Sequence, residues 1–158
     1  MSIRVQTETF DPGAVLNRLH GAQTGVGAVV GFVGYVRDFN DGEEVAGMLL
    51  EHYPGMTEKA LQLIVDEANE RWLLLGIDVL HRVGRLEPGE PIVFVGVSAA
   101  HRAAAFEACH FIIDYLKTRA PFWKKEDTGS GPRWVDARNQ DSAELDKWQG
   151  VPGPGQGG

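Results

Sequence analysis

Paired cysteines are what this chain most plainly lacks. Cys109 is its only cysteine, so no intramolecular disulfide can form, and the count suits a reducing compartment. Long apolar runs are missing as well: none reaches about 18 residues, the length a spanning helix needs. The opening MSIRVQTETF has no apolar core of the kind a signal peptide carries. These absences predict a cytoplasmic protein with no membrane segment. A surplus of positive charge is also absent. With 15 Lys and Arg against 22 Asp and Glu, the net charge is -7, which argues against general nucleic-acid binding, a function fed by a basic face.

Several chemical signatures are missing too. G-x-x-x-x-G-K-[S/T] does not occur, and neither does G-x-G-x-x-G, since Gly25 and Gly27 are followed by Val30. Gly27, Gly31 and Gly34 read instead as points of close packing or a bulge. The five histidines, His20, His52, His81, His101 and His110, form no H-E-x-x-H, and there is no cysteine cluster. No metal site and no cofactor are expected. His81 on a strand face and His110 within a helix read as structural. Cys109 reads as a core thiol, with burial raising its pKa.

What is present suits one domain of 158 residues. The Val- and Gly-rich stretch 27–37, closed by Asn40-Asp41-Gly42, predicts a strand and a turn. A short strand is expected over 48–52. Thr57 can cap a helix, with Glu58 well placed near its positive end. Leu61, Ile64, Val65, Ala68 and Trp72 form its apolar stripe, and Gly76 ends it. Residues 77–86 predict a strand region with Ile77, Val79, His81 and Val83 on one face. Residues 92–97 predict a buried central strand. Ser98 can then cap a helix over about 99–118, with Phe106, Cys109, Ile113 and Leu116 as its buried stripe and Pro121 as its stop. Residues 133–138 predict a late strand or docked extension. The loose alternation of strands and helices with hairpin-type turns favours α+β over a doubly wound sheet. The expected organisation is a single domain over 1–140 and an extension over 141–158, Gly- and Pro-rich and disordered from about 149.

One stretch stands against the acidic balance. YLKTRAPFWKKE, residues 115–126, carries Lys117, Arg119, Lys124 and Lys125 before its first acid. Cations at a helix end suit the negative end of the dipole, which accounts for Lys117 and Arg119. It does not account for Lys124 and Lys125, beyond Pro121. Phe122 and Trp123 would shield them from water, and a lysine so placed can act as acid, base or nucleophile. Spacing alone leaves a solvated patch and a functional site open. His101-Arg102 fits an anion contact at a helix N-terminus and, equally, a solvated turn. Arg37, taken alone, reads better as a surface partner of Asp38.

GAVVGFVGYVRDFNDG, LEHYPGMTEKAL, HRVGRLEPGEPIVFVGVSAAHR and YLKTRAPFWKKE resemble, in order, the large catalytic subunit of molybdopterin synthase, the MoaE family. The resemblance runs from about residue 27 to 138. It implies an α+β fold, an α/β-hammerhead with an added small subdomain. It implies a sulfurtransferase that converts cyclic pyranopterin monophosphate (precursor Z) to molybdopterin in molybdenum cofactor biosynthesis, adding two sulfurs as a dithiolene. The sulfur donor it implies is the C-terminal Gly-Gly thiocarboxylate of a small ubiquitin-like subunit, in a heterotetramer built on a homodimer of the large subunit. Lys117 and Lys124 match the family's catalytic lysines. Tyr35, Val36, Arg37, His101, Arg102, Lys125, Glu126 and Arg138 match its substrate-binding positions, together with the two lysines.

Such a pocket, holding a phosphate and a thiocarboxylate, calls for several cations. Yet His101 and Lys117 are sixteen residues apart on one expected helix, roughly 24 Å. A composite site across a two-fold homodimer is therefore expected, with His101, Arg102 and Arg138 supplied in trans. The chain's own Gly-Gly ending reads as a coincidence of a flexible tail. Two rival readings remain: a non-catalytic module that binds a phosphorylated ligand or a partner's tail, and an RNA-binding domain that stacks bases on Phe122 and Trp123.

Overall fold

The computed structural model describes residues 1–40, 42–128, 131–135 and Trp148. A four-stranded mixed sheet is ordered β1-β5-β7-β2. Its strands are β1 (Ser2–Gln6), β2 (Ala28–Tyr35), β5 (Gly76–Arg82) and β7 (Pro91–Ala99). β1 runs parallel to β5, and the other pairings are antiparallel. The second sheet is ordered β3-β4-β8-β9, from β3 (Phe39–Asn40), β4 (Glu43–His52), β8 (Phe122–Thr128) and β9 (Gly131–Val135), with β6 (Gly84–Leu86) also paired to β4. The class is α+β, as the sequence predicts.

Helices cover both faces of the first sheet. α2 (Met56–Arg71) and α3 (Arg102–Arg119) bury Leu61, Ile64, Val65, Phe111 and Ile112 against Ile77, Val79, Val95 and Val97. α1 (Pro12–His20) covers the other face, where Val15 and Leu19 meet Leu80 and Phe94. β7 is covered on both sides, which explains its unbroken apolar run. A smaller core of Val36, Met48, Leu50, Val83 and Leu86 underlies the second sheet. Val5, Ile92 and Phe122 pack against both this core and the main one, so the two sheets share a seam.

Several local expectations change. α3 begins at Arg102, with His101 at the N-cap, and not near residue 99. Ser98 stays in β7 because it is paired on both sides, with Val29 and with Gly76. Phe106, expected in the buried stripe, is 61% exposed. α3 packs against α2 as well as the sheet, which centres its buried arc on Ala108, Ile112 and Tyr115 and leaves Phe106 at the edge. Gly55, at φ +86°, takes the N-cap of α2 in place of Thr57. Its amide donates to the Glu58 carboxylate.

Among the described residues four elements, β1, α1, β3 and β8, have no counterpart in the sequence reading. β1 and α1 precede its first strand, although Asp11 caps α1 by accepting from the Gly13 amide at 3.0 Å and Gly21 closes it in the left-handed conformation. β8 occupies the basic stretch itself. β9 covers the first part of the late strand expected over 133–138; residues 136–138 lie outside the described ones. So do 141–147 and 149–158, where the expected extension and disorder fall. Trp148 is described, and it packs against Phe111 and Trp72.

The glycine reading holds at three positions. An added Cβ would lie 2.0 Å from the Ala100 carbonyl oxygen at Gly27, 2.7 Å from Leu16 Cδ1 at Gly31 and 2.7 Å from Val93 Cγ1 at Gly34. The β2–β7 register shifts between Gly34 and Tyr35. At Gly27 the obstacle is backbone, which cannot swing aside. Gly27→Ala is expected to lower stability by about 2 kcal/mol, measured by urea unfolding. Gly25→Ala, with nothing within 4 Å of the new methyl, is expected to leave the midpoint nearly unchanged.

Candidate active site

The site grows from the corner where α3 ends. Pro121 disfavours helical geometry at the residue before it, and Ala120 is extended at φ -78°, ψ 130°. Thr57 pins the corner. Its hydroxyl donates to the Pro121 carbonyl and accepts from the Tyr53 amide, both at 3.0 Å. The chain then runs back as β8, antiparallel to β4 with Phe122 opposite His52 and Lys124 opposite Leu50.

Strand alternation sorts the basic stretch. Phe122, Lys124 and Glu126 share one face, with buried Leu50 and Met48 opposite Lys124 and Glu126. Glu126 is 2% exposed. Trp123, Lys125 and Asp127 lie on the other face, where Trp123 is exposed near Tyr53 and Asp127 pairs with Arg85. Lys124 and Lys125, adjacent in sequence, thus serve opposite sides of the sheet.

Phe122 stacks on His81, with ring centroids 3.9 Å apart and planes at 19°. His81 is buried, and its Nδ1 lies 2.9 Å from the Arg82 carbonyl oxygen. Burial, together with the charges of Lys117, Lys124 and His52, lowers its pKa to about 4. Those influences come from α3, β8 and β4.

Arg37 belongs to the same end of the molecule. β2 and β7 are antiparallel, with Tyr35 opposite Pro91 and Ala28 opposite Ala99. α3 follows β7 and packs back over β7 and β2, so its last turn, bearing Lys117, returns to the Tyr35 end. Val36 is buried in the small core beside Leu50, which places exposed Tyr35 and Arg37 near the strand of Lys124. His101 and Arg102 lie at the opposite end of α3, roughly 24 Å from Lys117 by helix rise. Within one chain, α3 therefore keeps His101 and Arg102 away from Lys117. Arg138 lies outside the described residues.

A groove of about 580 Å³ opens beside Lys117. Phe32, Phe106, Ile113 and Trp148 line it, none of them singled out by the sequence reading except Phe106 and Ile113, as core. Trp148 is held there by its indole N–H, which donates to Asp114 Oδ2 at 2.7 Å, and by its carbonyl, which accepts from Arg71 Nη1 at 3.0 Å. Cys109 forms part of the groove's floor, with its Sγ 3.5 Å from the Val95 carbonyl oxygen. Burial pushes its pKa up to about 12, as the core reading expects. Among the described residues no group of three or more His, Cys, Asp or Glu could hold a metal ion, and no helix is long and apolar enough to cross a membrane.

Fold and side chains together define an α+β protein with two sheets joined at a seam, gathering cations where its longest helix ends. Residues 5–119 match the model of the MoaE protein family. The chain belongs to that family. It is 68% identical over 149 residues to the molybdopterin synthase catalytic subunit of Pseudomonas aeruginosa, across 94% of this chain and 99% of the relative. Among solved structures it resembles a molybdopterin biosynthesis MoaE protein from Burkholderia ambifaria, at a TM-score of 0.81 and 53% identity, covering 95% of this chain and 98% of that one. It also resembles a molybdopterin synthase from Staphylococcus aureus, at 0.79 and 31% identity, covering 85% and 96%.

Two outcomes follow from the buried groups. At pH 8 Cys109 remains a protonated thiol, so an aromatic disulfide reagent is expected to label it only as fast as the protein unfolds; fast labelling of native protein would contradict its burial. His81 has a folded pKa below its unfolded value of 6.5, so the unfolded chain binds the extra proton first. Stability is expected to be full above about pH 6.5 and to fall toward pH 4, by about 3 kcal/mol. Urea unfolding across that range checks it, and His81→Phe should remove most of the slope.

Proposed function

We propose that this chain is the catalytic subunit of a molybdopterin synthase, an enzyme of molybdenum cofactor biosynthesis. It converts cyclic pyranopterin monophosphate to molybdopterin with sulfur carried on the C-terminal thiocarboxylate of a small ubiquitin-like subunit. Family membership supports the reaction class. The observation that supports the assignment to this site is the position of Lys117 in the last turn of α3 and of Lys124 on β8, on either side of the Pro121 corner, with Arg37 at the same end of the sheet.

The two ligands are anions, a phosphate ester and a thiocarboxylate, and a pocket for both needs cations in excess of acids. Lys117, in the last turn of α3 and beside the groove, meets the incoming thiocarboxylate and assists acyl and proton transfer. Lys124, half-buried on β8, orients substrate and stabilises charge that develops as the carbonyl is attacked. Arg37 holds the phosphate through forked hydrogen bonds, with Tyr35 and Val36 shaping that wall. Glu126 continues the substrate-binding stretch on the Lys124 face of β8, and Lys125 serves the opposite face. His101, Arg102 and Arg138 come from the second protomer of a homodimer, which carries one small subunit at each end in a heterotetramer.

Incubating the protein with cyclic pyranopterin monophosphate and a thiocarboxylated small subunit is expected to yield dithiolene product. Binding of the small subunit without product would favour a non-catalytic module. Lys117→Ala and Lys124→Ala are each expected to cost about a hundredfold or more in turnover; near-normal turnover of Lys117→Ala would remove its role. Mixing inactive Lys117→Ala and His101→Ala proteins is expected to restore activity in heterodimers, because one of the two composite sites then has both residues intact. Demonstrated heterodimers without rescue would exclude sharing of the site.

A further inference from the structure

The stretch LEHYPGMTEKAL carries part of the family resemblance, yet none of its residues has a role in the site so far. At its centre is Thr57, a polar side chain with 0% exposure. Its hydroxyl has one proton to give and lone pairs to accept with, and it uses them on two different elements. It accepts from the Tyr53 amide, just past the end of β4, and donates to the Pro121 carbonyl, just past the end of α3, both at 3.0 Å. Its own amide, in the first turn of α2, donates to the Tyr53 carbonyl at 2.9 Å.

Pro121 can be held at the backbone in only one way. A proline has no N–H, so its carbonyl is its one backbone hydrogen-bonding group. On either side, the Ala120 amide turns back to Leu116 and the Phe122 amide to Ala120. Those contacts shape the turn from within. Among the described residues, Thr57 supplies the hydrogen bond that ties Pro121 to another element. The neighbours of Thr57 are held in turn. Gly55, at φ +86°, leads the chain into α2, and its amide donates to Glu58. The same carboxylate lies 3.4 Å from His52 Nε2, and His52 stands opposite Phe122, the first residue of β8. Residues 52–58 thus grip both the corner and the strand that leaves it.

Lys117 lies four residues before Pro121 and Lys124 three residues after it. α3 is held by its buried face, and β8 by pairing with β4 and β9. What neither element fixes for itself is the angle between them. We propose that Thr57 is a positioning residue for the two lysines: by holding the Pro121 carbonyl it sets the angle at which β8 leaves α3, and with it the spacing of Lys117 from Lys124. The inference rests on the reading of these lysines as the catalytic pair.

Thr57→Val keeps the shape and loses both hydrogen bonds of the hydroxyl. Thr57→Ser keeps the hydroxyl and loses the buried methyl. Both should unfold at lower urea than the wild type, so stability alone does not separate them. Turnover should. Thr57→Val is expected to lose roughly tenfold or more in kcat, since small misplacements of reacting groups are costly, and Thr57→Ser to stay near wild type. Spin labels on Lys117→Cys and Lys124→Cys in the full chain read the spacing directly, with buried Cys109 unlabelled. The spread of label distances should widen with Thr57→Val and stay narrow with Thr57→Ser. An unchanged spread with Thr57→Val would overturn the inference whatever the rate, and so would Thr57→Ser equal to Thr57→Val in both spread and rate. A wider spread with wild-type kcat would also overturn it, since the spacing would then not matter to the reaction. Hydrogen exchange of the wild type needs no variant: a Tyr53 amide that exchanges as fast as an open one would exclude the bond to Thr57. Absence of product from the wild type would sink the synthase reading, while the label distances would still decide what Thr57 holds.

Discussion

The reversal of the chain at Ala120–Pro121 is the constraint from which the candidate site follows. A proline there ends α3 by geometry and not by running out of apolar residues. Thr57, reaching from another helix, fixes the corner through the Pro121 carbonyl. Because β8 is then bound to β4 in a set register, the distance from Lys117 to Lys124 is no longer a matter of seven flexible residues. Strand pairing and the stack of Phe122 on His81 settle which side of the sheet each cation serves.

An acidic protein can hold such cations because they are distributed among elements. Lys117 ends a helix, where the dipole favours positive charge. Lys124 extends from an apolar strand face. His81 stays uncharged, since burial and the neighbouring cations both oppose its protonation. The net charge of -7 is a sum over the whole chain and carries little information about any one end of it. The RNA-binding reading gains nothing from Phe122, whose ring is spent on His81.

Regular features were legible from local pattern. The helical stripe of Leu61, Ile64, Val65 and Ala68 and the apolar run of β7 are where periodicity puts them. Cys109 is core, and the glycines of β2 are points of close approach. Errors arose where partners outside the window decide the outcome. Ser98 looks like a helix cap until strands on both sides hold it in the sheet. Phe106 looks buried until α2 turns the buried arc of α3 away from it. β8 reads as a basic stretch and not as a strand, because its two faces meet different surroundings. Trp148 gives no local sign that it will close a groove beside Asp114, 34 residues earlier.

By itself the sequence determined the α+β class, the family through its long motifs, and the identity of the cations. Even the incompatibility of His101 with Lys117 in one pocket was present in it, since helix rise depends only on residue count. Tertiary structure alone decided that the chain turns back at Pro121 to pair β8 with β4, that Lys125 faces away from Lys124, and that Phe122 stacks on a buried imidazole. The physical reason is that periodicity reports which side of its own element a residue occupies. What stands opposite that side is set by strand register and by the packing of one element on another, through contacts between residues far apart in the chain.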